Sequence, residues 1–338
     1  MIVIRAPLRI SLIGGGTDIP VFFRSHPGRV ISATIDKYIY LVINPTPLVD
    51  MVSARYSKTE TVSHPKELEH ARIKALLLDL GITSNIEIGS FASLPGKTGL
   101  GSSSSFSVAL VKGLHAHLGR SMSAAEAAEK ACELEIDILG EPIGKQDQYA
   151  AAHGGLNFYQ FNCNGSVTVE PLLLDYKKSA ELQDSMLLFY TGIERHASDV
   201  LGQQVGQMKS KFDSYIALSN SVLKFRELLL KGDIKGAGLM MHESWLAKKK
   251  LGSKVSNKTL DSLYSAGIKA GAWGGKVLGA GGGGCFLFIA PPAKHKAILK
   301  ALKAQAKKVK LVGARHIPFS FVESGTDILF NNNASHQV

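Results

Sequence analysis

The segment from Leu94 to Leu114, LPGKTGLGSSSSFSVALVKGL, contains the residue types that point most directly to chemistry. Gly99 and Gly101 precede a run of four serines, and the apolar residues that follow recur at helical spacing. The first N–H groups of a helix have no partner within the helix and carry partial positive charge. Glycines allow an anion to approach the backbone, and serine hydroxyls add donors. The segment therefore predicts a phosphate-binding helix start rather than a flexible linker.

Two common nucleotide-binding patterns do not fit this chain. GKT at residues 96–98 suggests a P-loop, but that pattern needs a glycine five positions before Gly96, where Phe91 stands. GAGGGG at residues 279–284 matches G-x-G-x-x-G, yet it precedes the strand-like GCFLFIA instead of opening a helix. Neither a P-loop nor a nicotinamide-binding fold is predicted.

Composition narrows the class of protein. The chain has 39 Lys and Arg against 28 Asp and Glu, a net charge of +11 that suits anionic small molecules. The basic clusters at 248–250 and 307–310 are short, so we expect them to be solvated helix faces and expect no nucleic-acid partner. Three scattered cysteines, no long apolar run and no signal-peptide pattern predict a cytoplasmic protein without a membrane partner.

The elements that must position these residues change along the chain. The first half alternates strand-like runs with helices, and the second half is mainly helical before it returns to short strands. This order predicts an α+β protein with two domains, residues 1–180 and 181–330, followed by a loose tail at 331–338. A strand is expected at IPFSFV, residues 317–322.

Three motifs together resemble the GHMP kinases. RAPLRISLIGGGTD at 5–18, P-x-x-x-GLGSSSS at 95–105 and KVLGAGGGGCFLF at 276–288 have the order and approximate spacing of that superfamily over essentially the whole chain. The resemblance implies a two-domain fold, with an N-terminal domain like domain 2 of ribosomal protein S5 and a ferredoxin-like C-terminal domain. It also implies that ATP is held between the two domains.

The same resemblance assigns the nucleotide and metal residues. Six residues of the glycine-serine loop would bind ATP: Gly99, Leu100, Gly101, Ser102, Ser103 and Ser104. Ser103 and Glu135 match the positions that hold Mg²⁺, which otherwise keeps water and phosphate ligands. Glu133 and Asp137 remain alternatives to Glu135, because helix register decides which carboxylate faces the ion.

A catalytic pair follows from the resemblance as well. GEPIGKQDQYAA at 140–151 resembles the segment with the catalytic aspartate, which falls on Asp147. A carboxylate there can take the proton of the acceptor hydroxyl, although a lone Asp at a helix start could equally be a cap. Arg9 matches the basic residue beside that aspartate and would keep it ionised.

The resemblance places a sugar substrate beside this pair. Asp18 matches an aspartate that contacts sugar hydroxyls, with Gly16 and Thr17 next to it, although a turn-forming role for Asp18 is nearly as good an interpretation. Gly282 and Gly283 would let the C-terminal domain approach the substrate without side chains in the way. The sequence leaves a homodimer possible.

The choice of sugar rests on one departure from galactokinase and on one likeness to another group of kinases. Galactokinases carry a Glu-His pair where this chain has Gly15 and Gly16, and YTGIERHASDVL at 190–201 looks like the D-glycero-D-manno-heptose 7-phosphate kinases. This likeness implies phosphorylation of the anomeric hydroxyl to give a heptose 1,7-bisphosphate, on a route to a nucleotide-activated heptose. Arginines suit the phosphate of such a substrate, and the candidates are Arg195, Arg24 and Arg29.

Two other functions stay open at this point. A GHMP kinase for a neutral sugar such as fucose or galactose would share the ATP loop and the catalytic pair. A non-catalytic sensor would bind ATP and sugar but signal to a partner, and the presence of Asp147, Arg9, Glu135 and the serine loop together argues against it.

Overall fold

The computed structural model describes residues 1–194 and 197–332. The strands within these ranges are β1 Ile2–Gly14, β2 Gly28–Pro45, β3 Val52–Arg55, β4 Thr59–Val62, β5 Ile86–Ala92, β6 Leu156–Phe161, β7 Val167–Pro171, β8 Met186–Tyr190, β9 Gly274–Val277, β10 Cys285–Ile289, β11 Arg315–Ile317 and β12 Asp327–Asn331.

The helices of the same ranges are α1 Pro20–Phe23, α2 Ala71–Asp79, α3 Ser102–His117, α4 Ala124–Cys132, α5 Gln146–His153, α6 Tyr176–Asp184, α7 Ala197–Gln207, α8 Phe212–Lys231, α9 Ile234–Lys249, α10 Lys258–Lys269 and α11 His295–Lys308. A π-helical turn at Glu133–Ile138 continues α4. Short 3-10 turns lie at Pro65–Glu67, Lys209–Lys211 and Pro292–Lys294.

The N-terminal half is built on one large sheet. Within the described residues its order is β12-β1-β2-β5-β3-β4, with β6 paired to β2 and β7 paired to β6. The pairs are antiparallel except β3 with β5, which is parallel. Helix α3 packs closely on β1 and β2, since a Cβ at Gly113 would lie 2.7 Å from the Cδ1 atoms of Ile4 and Ile43. The apolar face of α3 is thereby held against the sheet while its first turn stays at the cavity described below.

The second half contains a smaller antiparallel sheet of order β11-β8-β10-β9. Strand β10 is buried along its whole length because both of its edges are paired and helices cover the sheet. Helix α9 approaches β9 so closely that a Cβ at Gly274 would overlap the carbonyl oxygen of Gly238. The predicted α+β class is confirmed.

The C-terminal end differs from the sequence prediction. Strand β12 returns to the first sheet, where Asp327 pairs with Arg5, so these residues do not belong to a separate C-terminal domain. The predicted loose tail therefore begins too early, because Asn331 ends β12 and the Asn332 N–H donates to the carbonyl of Met1 at 3.0 Å. Residues 333–338 lie outside the described ranges. The strand expected at 317–322 is mostly not formed, because β11, Arg315–Ile317, reaches it only at Ile317 and Phe321 makes an isolated bridge to Ile35.

None of the helices in the described part of the chain combines the length and hydropathy needed to cross a membrane.

Candidate active site

The largest group of predicted site residues meets in one cavity of about 400 Å³ between the two halves of the chain. The first turn of α3, the turn after β1, the start of α5 and the glycine run after β9 contribute to its wall. The predicted residues that line it are Arg9, Gly16, Asp18, Gly99, Gly101, Ser102, Ser103, Ser104 and Asp147.

The glycine-serine loop has the backbone that an anion site needs. Helix α3 begins at Ser102 after Gly101, which has φ of 78° and provides no side-chain cap for the first N–H groups. Lys97 and Gly99 also have positive φ, 62° and 80°, so the loop turns sharply before the helix. The predicted helix start is confirmed. The unpaired N–H groups of this turn and the hydroxyls of Ser102 to Ser104 can receive phosphate oxygens.

Leu100 does not line this cavity. Its side chain is fully buried in the core, and its carbonyl accepts a hydrogen bond from the Arg9 N–H at 3.0 Å. Its contribution is to tie the loop to β1, because an apolar side chain at this position anchors the backbone whose neighbours face the cavity.

The glycine run connects the second half of the chain to the loop. The Cys285 N–H donates to the Thr98 carbonyl at 2.9 Å, and a Cβ at Gly284 would lie only 2.3 Å from that same oxygen. Gly279 and Ala280 of this run line the cavity, whereas Gly282 and Gly283 do not, and the part of these two glycines in substrate binding stays a prediction. The Gly282 N–H is engaged with the Val255 carbonyl at 2.8 Å, which points the run away from the cavity there.

Arg9 and Asp147 form a two-point ion pair at the centre of the cavity. Arg9 Nε donates to Oδ1 and Nη2 donates to Oδ2 of Asp147, both at 2.8 Å. The side chain of Arg9 is 2% exposed and that of Asp147 is 24% exposed, so the carboxylate keeps an open face. Asp147 lies in the first turn of α5, whose helix start carries no side-chain cap. The aspartate is therefore not used as a cap and is available to a substrate.

Asp18 is a second carboxylate in the same cavity. It is 2% exposed, and its oxygens accept from the Gly16 N–H at 2.9 Å and from the Gln146 side-chain amide at 3.0 Å. Burial raises the pKa of Asp18, and the nearby charge of Asp147 raises it further. Thr17 does not reach the cavity, because its fully buried hydroxyl bonds to the backbone of Arg29.

The predicted metal ligand Glu135 lies behind the cavity wall. It is fully buried, and its carboxylate accepts from Arg72 Nε at 3.0 Å, from the Ser107 hydroxyl at 2.9 Å and from the Gln148 amide at 2.5 Å. Glu135 does not line the cavity, and these three donors hold its carboxylate, so its assignment to Mg²⁺ stays a prediction. Glu133 and Asp137 are exposed and do not line the cavity either.

Glu141 is the acid of this segment that does line the cavity. It pairs with Arg72 Nη2 at 2.6 Å, and burial raises the pKa of its carboxyl while Arg72 opposes the rise. No cluster of three or more His, Cys, Asp or Glu suited to a metal occurs among residues 1–194 and 197–332. Any ion bound here would depend on phosphate and water ligands in addition to protein oxygens.

The basic residues differ from the prediction. Arg24 is exposed over the ring of Phe23, and Arg29 donates to Gln160 and Asn220, so neither enters the cavity. Arg195 lies outside the described residues. Lys248, expected on a solvated face, is 6% exposed and lines the cavity, where its ammonium donates to the Gly279 carbonyl at 3.1 Å.

Sequence reasoning also missed two glutamines of the cavity wall. Gln146 directly precedes Asp147, and Gln204 is 1% exposed on α7. The position next to a predicted catalytic aspartate was a usable signal for Gln146. The sequence contained no signal for Gln204, because a single glutamine in an amphipathic helix is common.

The fold and cavity define a small-molecule kinase of a known family. Residues 68–155 match the family profile described as GHMP kinases N terminal domain, and residues 225–308 match GHMP kinases C terminal. The chain is 30% identical over 335 residues to D-glycero-alpha-D-manno-heptose 7-phosphate kinase of Campylobacter jejuni subsp. jejuni serotype O:2, covering 95% of this chain and 96% of that protein. The chain belongs to the GHMP kinases.

Solved structures agree with this assignment. A D-glycero-D-manno-heptose 1-phosphate kinase from Bacteriodes thetaiotaomicron superposes with a TM-score of 0.80 at 25% identity, over 98% of this chain and 99% of that one. A putative sugar kinase from Campylobacter jejuni does so with a TM-score of 0.72 at 28% identity, over 97% of both chains. Lactococcus lactis galactokinase, complexed with galactose, shares the fold with a TM-score of 0.77 at 19% identity, over 97% of this chain and 95% of that one. The predicted family, fold and enzyme class are confirmed.

Proposed function

We propose that this kinase transfers the γ-phosphoryl group of ATP to the anomeric hydroxyl of D-glycero-D-manno-heptose 7-phosphate. The observation that carries the proposal is the Arg9–Asp147 pair facing the glycine-serine loop across one cavity. A paired carboxylate opposite a phosphate site is the arrangement that phosphoryl transfer to an alcohol requires. The full-length likeness to a heptose 7-phosphate kinase supports the choice of sugar.

The chain's own groups divide the chemistry between them. The N–H groups and hydroxyls at the start of α3 hold the phosphates, because they point into the cavity without partners in the helix. Asp147 accepts the proton of the attacking hydroxyl on its open face. Arg9 holds that carboxylate by two hydrogen bonds and supplies positive charge close to the transferred group.

The oxygen donors that line the cavity fit a magnesium ion held together with the phosphates. Mg²⁺ is bound in kinases through one or two protein oxygens while it keeps waters and phosphate ligands. The Ser103 hydroxyl and the Glu141 carboxylate both line the cavity and would hold it. When bound, the ion would neutralise charge on the phosphates.

We propose that the protein works in the cytoplasm, where ATP is available and where Cys132, Cys163 and Cys285 stay reduced, as their unpaired state requires. The proposed partners are ATP and the sugar phosphate. Sedimentation of the purified chain over a range of concentrations would tell a monomer from a homodimer.

The test is an ADP-release screen with Mg-ATP and matched acceptors. D-glycero-D-manno-heptose 7-phosphate, the unphosphorylated heptose, fucose and galactose are compared, with the wild type and the Asp147→Asn variant. We expect the highest kcat/KM for the 7-phosphate and phosphorylation at C1 by NMR of the product. Preference for fucose or galactose would replace the proposed substrate, and ATP binding without turnover of any sugar would favour a sensor.

A further inference from the structure

The turn after β1 leaves a space without side chains beside the catalytic pair. Gly15 and Gly16 have φ of 87° and 82°, and their missing Cβ atoms face the cavity wall. A Cβ at Gly15 would lie 3.6 Å from the Lys248 ammonium and 3.6 Å from the Gln146 side-chain nitrogen. A Cβ at Gly16 would lie 3.3 Å from a ring carbon of Tyr215 and 3.6 Å from the side-chain oxygen of Gln204.

Side chains from four separate helices therefore converge on this space. Gln146 is in α5, Gln204 in α7, Tyr215 in α8 and Lys248 in α9. Gln146 also donates to Asp18 and directly precedes Asp147 along the chain. A sugar whose reacting hydroxyl contacts Asp147 would extend its far end toward this space.

Two of these groups are buried without a hydrogen-bond partner in the described part of the chain. They are the hydroxyl of Tyr215, a residue that is 1% exposed, and the side-chain oxygen of Gln146. Buried polar atoms are nearly always paired, so two orphaned atoms beside one cavity indicate that a ligand supplies their partners. The Tyr215 hydroxyl is a donor and suits an anionic oxygen.

Two lysines lie at this space. Lys248 lines the cavity although it is 6% exposed, and Lys276 is buried nearby. Burial lowers the pKa of Lys276 well below its usual range, and the charges of Lys248 and Arg9 lower it further, while Asp18 acts in the opposite direction. The lowered pKa disfavours the charged form of Lys276, so Lys248 is the lysine whose ammonium favours an anion in this space.

We infer that Lys248 is the specificity-determining cation that binds the phosphate carried by the sugar substrate, with the Tyr215 hydroxyl as a hydrogen-bond donor. A lysine ammonium binds phosphate as a point charge and tolerates rotation of the group. The missing side chains at Gly15 and Gly16 give the phosphate its room. This inference rests on the proposed function, since it needs a phosphorylated acceptor.

The test measures the preference for a phosphorylated acceptor in matched variants. The kcat/KM for heptose 7-phosphate is divided by that for the unphosphorylated heptose, in the wild type and in Lys248→Gln, Lys248→Arg and Tyr215→Phe. We expect Lys248→Gln to lower this ratio about 10- to 100-fold, because a hydrogen bond to a charged group is lost, with the KM for ATP unchanged. Lys248→Arg should keep most of the preference, and Tyr215→Phe should lose part of it.

Lys250→Gln is the matched control, because Lys250 is exposed at the end of the same helix and lies outside the cavity. A wild type without preference for the 7-phosphate overturns the proposed substrate and this inference together. A wild-type preference that survives in Lys248→Gln overturns this inference alone and leaves the proposed function standing. Thermal unfolding shows whether Lys248→Gln folds. If it does not, Tyr215→Phe and Lys248→Arg still decide between the outcomes. An unchanged kcat/KM ratio in Tyr215→Phe, together with complete loss of the preference for the 7-phosphate in Lys248→Arg, contradicts charge recognition.

Discussion

Arg9 joins Asp147 to the glycine-serine loop through a single guanidinium group. Two of its nitrogens donate to the carboxylate of Asp147 at 2.8 Å each, and Nη1 donates to the carbonyl of Gly99 at 2.7 Å. A Cβ added at Gly101 would lie 3.2 Å from Arg9 Cγ and 3.5 Å from Asp147 Oδ2. The acid and the phosphate-binding turn are therefore held at a fixed separation by one residue.

Asp147→Asn should lower kcat by about 10²- to 10⁴-fold, because an amide does not accept the hydroxyl proton. ATP binding should persist, since the loop groups are untouched. The buried Arg9 loses the charge of its carboxylate partner, so the free energy of unfolding should fall by about 1–3 kcal/mol. Steady-state kinetics, nucleotide titration and urea denaturation measure the three quantities. Turnover close to that of the wild type would rule out Asp147 as the general base.

Glu135→Gln and Glu141→Gln should separate a structural role from a metal role. Glu135→Gln breaks the ion pair between the fully buried Glu135 carboxylate and the partly exposed Arg72, and it should cost on the order of 3 kcal/mol of unfolding free energy. Its Mg²⁺ requirement should stay near that of the wild type.

Glu141→Gln should instead raise the Mg²⁺ concentration for half-maximal rate by about tenfold, with a smaller loss of stability. Asp137→Asn is the control, because Asp137 is exposed in the same segment. Magnesium titration of activity and binding of Mn²⁺ followed by electron paramagnetic resonance check the assignment. A large shift in Glu135→Gln but not in Glu141→Gln would restore Glu135 as the ligand.

Gly284→Ala should weaken ATP binding and destabilise the protein. Its Cβ would lie 2.3 Å from the Thr98 carbonyl oxygen at a φ of 84°, so the glycine run and the phosphate loop would have to separate. Gly313→Ala is a matched control, with a φ of 80° and no atom within 4 Å of the added Cβ. Both variants place an alanine at a positive φ, which is unfavourable for any residue with a Cβ. Gly284→Ala should lower the free energy of unfolding by about 1–3 kcal/mol more than Gly313→Ala, which is the usual cost of overpacking. Equal unfolding free energies and equal KM for ATP would show that the contact is unimportant.

Lys276→Met should stabilise the protein at neutral pH. The pKa of Lys276 is lowered in the folded state, chiefly by burial and then by Lys248 and Arg9. The unfolded state therefore binds more protons between that lowered pKa and the unfolded value, and the wild-type free energy of unfolding rises with pH in this window. The methionine variant lacks this rise, so the amount by which its free energy of unfolding exceeds that of the wild type should shrink between pH 7 and pH 10. Urea denaturation across this range measures the difference, and a constant gap would contradict the lowered pKa.

Local patterns were enough for the features that a short segment controls. The start of α3 at Ser102 follows from glycines, serines and helical periodicity that are adjacent in the chain, and the position of Asp147 in the first turn of α5 follows from its own segment. The register of the helical segment before it was harder to predict, although Glu135, the acid chosen as inward-facing, is the buried one and Glu133 and Asp137 are exposed. The Leu139 N–H donates to the Leu134 carbonyl at 3.0 Å, five residues back, and this π-helical turn breaks the 3.6-residue period from which an inward carboxylate would be chosen.

The order and chemistry of the motifs by themselves indicated the family, the α+β class and the turn before α3, because each motif carries its own backbone requirement. The pairing of Arg9 with Asp147 was implied by the resemblance to the GHMP kinases. Only the tertiary structure decided which side chains share the cavity. Lys248 belongs to a lysine cluster that is typical of solvent, yet it is buried because α9 lies across the space left by Gly15 and Gly16. Burial of a long polar side chain depends on what packs over it, and residues distant in the chain supply that packing.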